Sequence, residues 1–362
     1  MATKSKRASS LEATVTPPLD SDFTGQQLDL FKTFICNGDA ARDRLSNAFD
    51  LWDSVPRYAV SRQQMDKTRK TKGFLDLLQL DFNYRGEPML ATIQAARIID
   101  EATGVSKDFY PSANEELIED ALRKIAAEPE NGFYAKSEFR SGVVFTLYAL
   151  RKELESRGHT RSYQEIVLSL KILARSTIEI SKRDGKRGEG FSLSPFLTGL
   201  SAVSRSKLNE DPDSRWIAQF HPLVTLAIDA ITFRQYNYAQ MMSHKNQLTR
   251  WLHKQLSLKF TFASFSTSFE IRYSTIKRDS GLLDSYSRER KAIETLDDCI
   301  KELEASRVLS KSEKVPVTGP RGKVLDVVYT FYPSPDFIKD MKASNKRAQV
   351  QSNSPITTAV NK

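Results

Sequence analysis

Cysteine and histidine are scarce in this chain of 362 residues. The two cysteines, Cys36 and Cys299, lie far apart and outside any Cys-x-x-Cys spacing, so neither a disulfide framework nor a zinc site is expected. Cys299 falls on the apolar side of a helix-like stretch and reads as a core thiol. The four histidines, His159, His221, His244 and His253, include no metal-binding pair at i,i+4. They form neither the His-hydrophobic-His element of a nicking nuclease nor the Arg…His-x-x-Arg…Tyr set of a recombinase. His244 and His253 fall on an expected helix, where an exposed or hydrogen-bonded ring is the plainer role. No Gly-x-x-x-x-Gly-Lys loop is present, so nucleotide hydrolysis is not expected, and Gly185, Gly188 and Gly190 read as a hairpin turn. With no nucleophile constellation, the expectation is a protein that is not an enzyme and needs no metal or cofactor. No run approaches about 18 apolar residues, which argues against a membrane span. No apolar segment follows Lys4, Lys6 and Arg7, so no signal sequence is read and a cytoplasmic location is expected.

What is present is positive charge. Lys and Arg number 54 against 45 Asp and Glu, a formal excess of +9. That excess suits a polyanion partner and equally suits a merely basic protein, so clustering must decide. A hydrophobic content of 40% supports real cores, and the length suits about two domains.

Taken in order, residues 1–72 are expected to be a flexible leader. It is rich in Ser, Thr and Pro at first, weakly helical over Asp39–Leu51, and polar and basic over Arg62–Lys72. Residues 73–230 read as a first domain. Leu75–Tyr84 could form a strand, Gly86-Glu87-Pro88 a turn, and Asn114–Ala127 an amphipathic helix with Asn114 as its N-cap. Val143–Phe145 is a short strand, and Thr146 can cap a helix Leu147–Ser156 that Gly158 stops. A second helix begins near Ser162, with Tyr163, Ile166, Val167, Leu170, Leu173 and Ala174 on one face. Helix, short glycine-containing turn and helix is the helix-turn-helix layout. Strands are expected at Ser176–Ser181, Phe191–Val203 and Arg215–Phe220, with a basic turn, Lys182–Gly188, after the first.

Residues 231–346 repeat the order with different residues. Tyr238–Leu256 and Phe269–Arg278 are expected helices. Ser285–Arg307 is a third, with a basic first turn and Ile293, Leu296, Ile300 and Leu303 as an apolar stripe. A Pro/Gly/basic turn, Val317–Lys323, and a strand, Val324–Tyr332, follow. Residues 347–362 are a polar tail. The predicted fold class is α+β: two tandem winged-helix domains with a flexible leader and a polar tail.

A helix buried along one face, with cations at its N-terminus and a basic hairpin behind it, suits the DNA major groove. The candidate contacts in the second domain are Tyr286, Ser287, Arg288, Arg290 and Lys291. Those in the first are Arg161, Tyr163, Gln164 and Lys171. Arg and Gln can bond guanine and adenine edges in pairs. Lys182, Arg183, Lys186 and Arg187 in the first hairpin, and Arg321 and Lys323 in the second, would touch phosphates or the minor groove. The plainer alternative, solvated faces of ordinary helices, is weakened by the occurrence of two such units.

One further segment stands apart. Gln27-Leu28-Asp29-Leu30-Phe31 could plug an apolar pocket with its leucines and Phe31 while Gln27 orients it. It could also be a piece of ordinary amphipathic helix. As a peptide it resembles the QL(S/D)LF motif that binds the bacterial sliding clamp.

With these parts together, the chain resembles the plasmid replication initiators of the TrfA-like, tandem winged-helix kind, over roughly Leu75–Lys342. The segments that carry the likeness are Phe145–Leu150 running into Tyr163–Ile166, then Gln247–Leu252 and Glu302–Ser306. The QLDLF element stands where that family places QLSLF. The resemblance implies binding of double-stranded origin repeats (iterons) and opening of an adjacent A·T-rich segment. It further implies recruitment of the sliding clamp and replicative helicase, and a possible homodimer. The rival reading is a transcriptional regulator with two winged-helix domains, which shares every basic feature but gives no reason for a clamp peptide.

Overall fold

The computed structural model describes residues 43–100, 103–128, 130–183, 191–204, 211–320 and 323–352. The chain enters through Leu45–Phe49 (β1), a strand buried along its whole length, which runs directly into a short helix, Asp50–Ser54 (α1). Arg62–Lys72 (α2) is a helix rather than an exposed arm. Ser61 and Gln64 form a reciprocal capping box at its start, and Gly73 ends it at φ 82°, a left-handed value glycine adopts without steric cost. Residues 43–72 therefore belong to the first core and are not a flexible leader. Trp52, Val55, Tyr58 and Met65 are buried there. Their few large apolar side chains outweigh the polar composition that made the stretch look like a linker.

Strands Leu78–Tyr84 (β2) and Glu87–Gln94 (β3) form a hairpin through Arg85-Gly86, both at positive φ, as tight hairpin turns require. A second hairpin, Ala96–Ile99 (β4) with Ser106–Phe109 (β5), was not expected. Helix Ala113–Ala126 (α3) matches the expected amphipathic helix, but its cap is Ser112, not Asn114. Glu115 Oε2 reaches back to accept from Ser112 N at 2.8 Å. Gly132–Ala135 (β6) and Arg140–Thr146 (β7) follow, then Leu147–Ser156 (α4), whose first turn donates from Ala149 N to Thr146 Oγ1 at 3.1 Å. Gly158 turns the chain at φ +85° into Tyr163–Arg175 (α5), capped by Ser162 and Glu165.

Thr177–Lys182 (β8) and Phe191–Pro195 (β9) form the hairpin after α5. The expected single strand 191–203 is broken at Phe196, whose buried ring separates β9 from Leu197–Val203 (β10). The halves join different sheets. One has the order β2-β3-β8-β9, and the other runs β10-β11-β7-β6 with Arg215–Phe220 as β11. After Pro222–Asp229 (α6), Phe233–Asn237 (β12) pairs antiparallel with β1. The Met241 and Met242 side chains of Tyr238–Ser243 (α7) still lie in the first core. The second core begins at Leu248, on Gln247–Lys259 (α8). The boundary thus falls near residues 243–247 rather than at 230. The expected helix 238–256 is two helices, parted at His244–Asn246.

In the second unit Phe269–Arg272 (β13) is a strand where a helix was expected. It is followed by Tyr273–Ser280 (α9), Glu289–Ala305 (α10), Leu309–Thr318 (β14) and Val324–Pro333 (β15). The sheet order is β13-β15-β14. Three helices with a short strand after the first and a long hairpin after the third make this a winged helix. Helices α3, α4 and α5 with the β8–β9 hairpin make the first, elaborated by additional strands. A last helix, Pro335–Ser352 (α11), runs through what was expected as domain end and polar tail. Its Phe337, Ile338 and Met341 close the second core, while Asp340 accepts from Asn237 Nδ2 at 3.1 Å, back on the first unit.

Candidate nucleic-acid interface

Helix α10 is fastened by Ala292, Leu296, Cys299, Ile300 and Leu303, all buried. Its N-cap is Arg288, so Tyr286 and Ser287 precede the helix instead of forming its first turn. Tyr286 packs partly against the second core. Arg288, Arg290 and Lys291 are exposed. Arg288 makes no side-chain bond among the described residues. Arg290 and Lys291 each reach Glu294, at 3.0 and 2.9 Å, and Arg290 keeps 91% of its side chain in solvent. Pairs this exposed are screened by water and weak, so they yield readily to a phosphate or a base. Glu289 and Glu294 stand among these cations, Asp297 turns to the hairpin, and Asp298 follows on the exposed side. The cations sit at the end where the helix dipole is positive, so the charge of the helix favours an anion at that end alone.

The hairpin β14–β15 stands behind α10. Lys314 is drawn toward the helix by Asp297 at 2.6 Å, which also accepts from Tyr329 Oη at 2.8 Å. Lys323 is exposed at the turn. Arg321 lies outside the described residues, as do Lys186 and Arg187 of the first hairpin.

The first unit departs further from expectation. Arg161 is committed within the protein: its Nε and Nη2 donate to Asn114 Oδ1 at 3.0 and 2.8 Å, tying the turn before α5 to the start of α3. The Tyr163 ring lies under Arg151, 4.9 Å away. Lys182 is 4.0 Å from Glu87 on the neighbouring β3, and Arg183 pairs with Asp81 on β2, one strand further. Gln164 and Lys171 remain outward, lining one wall of a cleft of about 530 Å³. The other wall is the β4–β5 hairpin, with Ile98, Val105, Lys107 and Phe109. The clamp-like segment Gln27–Phe31 lies outside the described residues.

Between the two units runs a buried charged seam that the sequence reading did not anticipate. Asp53 of α1 holds Arg123 at 2.7 Å and Arg57 at 2.9 Å. Glu119 of α3 holds Arg123 at 3.1 Å, Arg57 at 3.3 Å and the Trp52 indole N–H at 2.6 Å. Lys254 crosses from α8 to Asp120 at 2.6 Å and Glu116 at 3.4 Å. Beside it, Gln255 Nε2 donates to Asp53 O at 2.8 Å. All these charged side chains are buried. Burial alone would raise the Asp53 and Glu119 carboxyls and lower the Lys254 amine. The opposite charges at contact reverse both effects, so the carboxyls are held below their usual range and the amine above it.

The histidines are structural. His159 Nε2 meets Met242 O at 2.8 Å. His221 Nδ1 accepts from Leu223 N at 3.2 Å while its ring stacks on Trp52, 4.2 Å between centroids. His244 Nε2 and His253 Nδ1 are 3.0 Å apart and buried. Burial pushes His221 down to about 3 and His244 to about 4. Cys299 is a buried core thiol, pushed up to about 11 by that burial. Among the described residues no group of three or more His, Cys, Asp and Glu side chains could hold a metal ion. No described helix is long and apolar enough to cross a membrane.

No family model matches the chain, and no curated protein matches it in sequence. Among solved structures, it is similar to domains 2 and 3 of RctB, at 11% identity, over 72% of this chain and 92% of that one, with a TM-score of 0.47. It is also similar to the Pi initiator protein, solved in complex with iteron DNA. There the identity is 14%, the coverage 62% of this chain and 95% of that one, and the TM-score 0.39. These scores mark a loose likeness.

Proposed function

We propose that this chain is a non-enzymatic, sequence-specific DNA-binding protein that initiates replication at repeated origin sequences. The observation that carries the reading is the N-terminal end of α10. Three exposed cations, Arg288, Arg290 and Lys291, sit on a helix whose opposite face is locked into the core, with a long hairpin behind it. A rigid helix end of this kind can enter a major groove while the hairpin follows the backbone. Helix α5 supplies a second, weaker candidate through Gln164 and Lys171. Two such units on one chain suit a repeat spanning successive grooves. Several bound copies would distort the duplex and open a neighbouring A·T-rich segment, whose unstacking costs least. A helicase and a second copy of the chain are the remaining partners in this reading.

Electrophoretic titration against a direct repeat from beside the coding region tests it. The expected result is tighter binding to the repeat than to a scrambled duplex at moderate salt. Equal affinity for both sinks the reading. Permanganate footprinting then separates initiation from transcriptional regulation, since only an opener makes thymines of the A·T-rich segment reactive.

The Gln27–Phe31 segment favours replication over transcription, because a clamp peptide has no use in a repressor. Leu30→Ala together with Phe31→Ala is expected to abolish pull-down of the bacterial sliding clamp and leave DNA binding intact. Clamp pull-down that survives the double change removes the peptide assignment.

A further inference from the structure

Helix α2 and the β4–β5 hairpin lie beside the α5 candidate and bring charge that no motif marked. The cations of α2 divide by face. Arg62 and Arg69 point inward, each 4.7 Å from the centroid of the Phe109 ring on β5, and Arg62 is further held by Glu115 at 2.6 Å. These two fasten the helix. The outward face carries Gln63, Lys67, Lys70 and Thr71, at spacings of four, seven and eight residues from Gln63, all exposed. That spacing makes one stripe along a helix. On β5, Lys107 is exposed as well, and it lines the cleft that Gln164 and Lys171 of α5 face from the other side.

Lys67, Lys70 and Lys107 make no ion pair among the described residues. One exposed carboxyl, Asp66, stands on the same helix. That carboxyl is held below its usual value first by its hydrogen bond to Arg69, and further by Lys70 and Lys107. Other cations nearby are already matched: Arg97 by Asp108 at 3.0 Å, and Lys72 by Asp76. The stripe is therefore a run of exposed lysines without ion pairs among the described residues, beside one carboxylate, Asp66, that is bonded to Arg69, and Lys107 links it to the cleft faced by α5. Gln63 adds a neutral amide donor, while the Thr71 hydroxyl is spent on Lys67 O at 3.0 Å. A polyanion with regularly spaced charges fits this surface; an apolar partner does not.

We propose that α2 and β5 grip the phosphate backbone of duplex DNA flanking the groove that α5 enters. This rests on the DNA-binding reading above, and it assigns the first unit's main electrostatic contacts to Lys67, Lys70 and Lys107. Among the described wing residues, Lys182 lies 4.0 Å from Glu87 and Arg183 is paired to Asp81. Phosphate contacts position the protein and carry no sequence information.

The test is the salt dependence of binding by the full chain with Lys67→Gln, Lys70→Gln and Lys107→Gln combined. Each lost phosphate contact lowers the slope of log K against log salt by about 0.9, so the expected loss is roughly 2–3 units. The loss is expected on an origin repeat and on scrambled duplex alike, with the ratio between the two unchanged within about twofold. The three exposed side chains make no ion pair among the described residues, so the urea midpoint is expected to stay where it was. Lysine-to-arginine changes at the same positions are expected to restore the slope. An unchanged slope on both duplexes overturns the proposal, as does a slope restored by neither cation. Failure of the wild-type chain to prefer its repeat would instead overturn the initiator reading, because the slope on scrambled duplex still reports on the stripe.

Discussion

Lys254→Ala is expected to lower the stability of the protein by about 3–5 kcal/mol, read as a fall in the urea midpoint. The size follows from what the side chain leaves behind. Lys254 is 4% exposed, and its amine is the cation that α8 brings to Glu116 and Asp120. Without it two carboxylates remain in the seam, and Glu116 already has one oxygen, Oε2, with no hydrogen-bond partner. Arg123, 3.3 Å from Asp120, cannot serve both, since it is also holding Asp53 and Glu119. A buried pair contributes little compared with an apolar replacement of both partners, yet breaking it from one side is costly. The same change is expected to split unfolding into two steps, because the seam joins the cores that begin at Ala48 and Leu248. A loss under about 1 kcal/mol with a single sharp transition would mean that water already shares the seam.

Arg288→Ala with Arg290→Ala is expected to erase most of the preference for a repeat over scrambled duplex. Each guanidinium that bonds a base edge in a bidentate pair is worth about 1–3 kcal/mol of discrimination. The pair sits two residues apart on one helix end, so their effects need not add. Neither side chain supports the fold: Arg290 has only Glu294 as a partner, and Arg288 has none among the described residues. The circular dichroism spectrum should therefore be unchanged while the repeat-to-scrambled ratio falls by a factor of about ten or more. An unaltered ratio would move base reading away from α10.

The sequence was most legible where local chemistry and tertiary packing agree. Thr146 before α4, Gly158 after it and Ser162 before α5 are cap and turn signals that act within four residues, and each does so in the structure. The apolar stripes of α5 and α10 were equally plain, because each helix buries one face. The shift of the α3 cap from Asn114 to Ser112 is a contest between two good capping residues, won by Ser112 because Glu115 stands three residues on. Pairing of β1 with β12 links segments far apart in sequence, and no local pattern announces it.

The site was read in part. Arg290 and Lys291 stand exposed in the first turn of α10, but that helix starts at Glu289 and not at Ser285, and Arg161 looked like a free base reader and is a strut to Asn114. A charged side chain looks alike in sequence whether it faces solvent or a partner. The seam was hidden for the same reason: Glu116, Glu119, Asp120 and Arg123 lie off the apolar face of the expected helix. They are buried because α3 is covered on more than one side, by α1 and by α8 of the next unit.

The strand pairing that closes the first unit also sets a delay in its synthesis. Leu45 meets Asn237, and Phe49 meets Phe233. At about 5–20 residues per second, roughly 10–40 s pass between the making of one strand and the arrival of its partner. Through that interval Phe49, buried in the finished protein and packed against Phe233 of β12, lacks that part of its cover. The nascent chain thus carries an unpaired strand edge with Phe49 on it, of the kind that chaperones bind, until β12 has emerged.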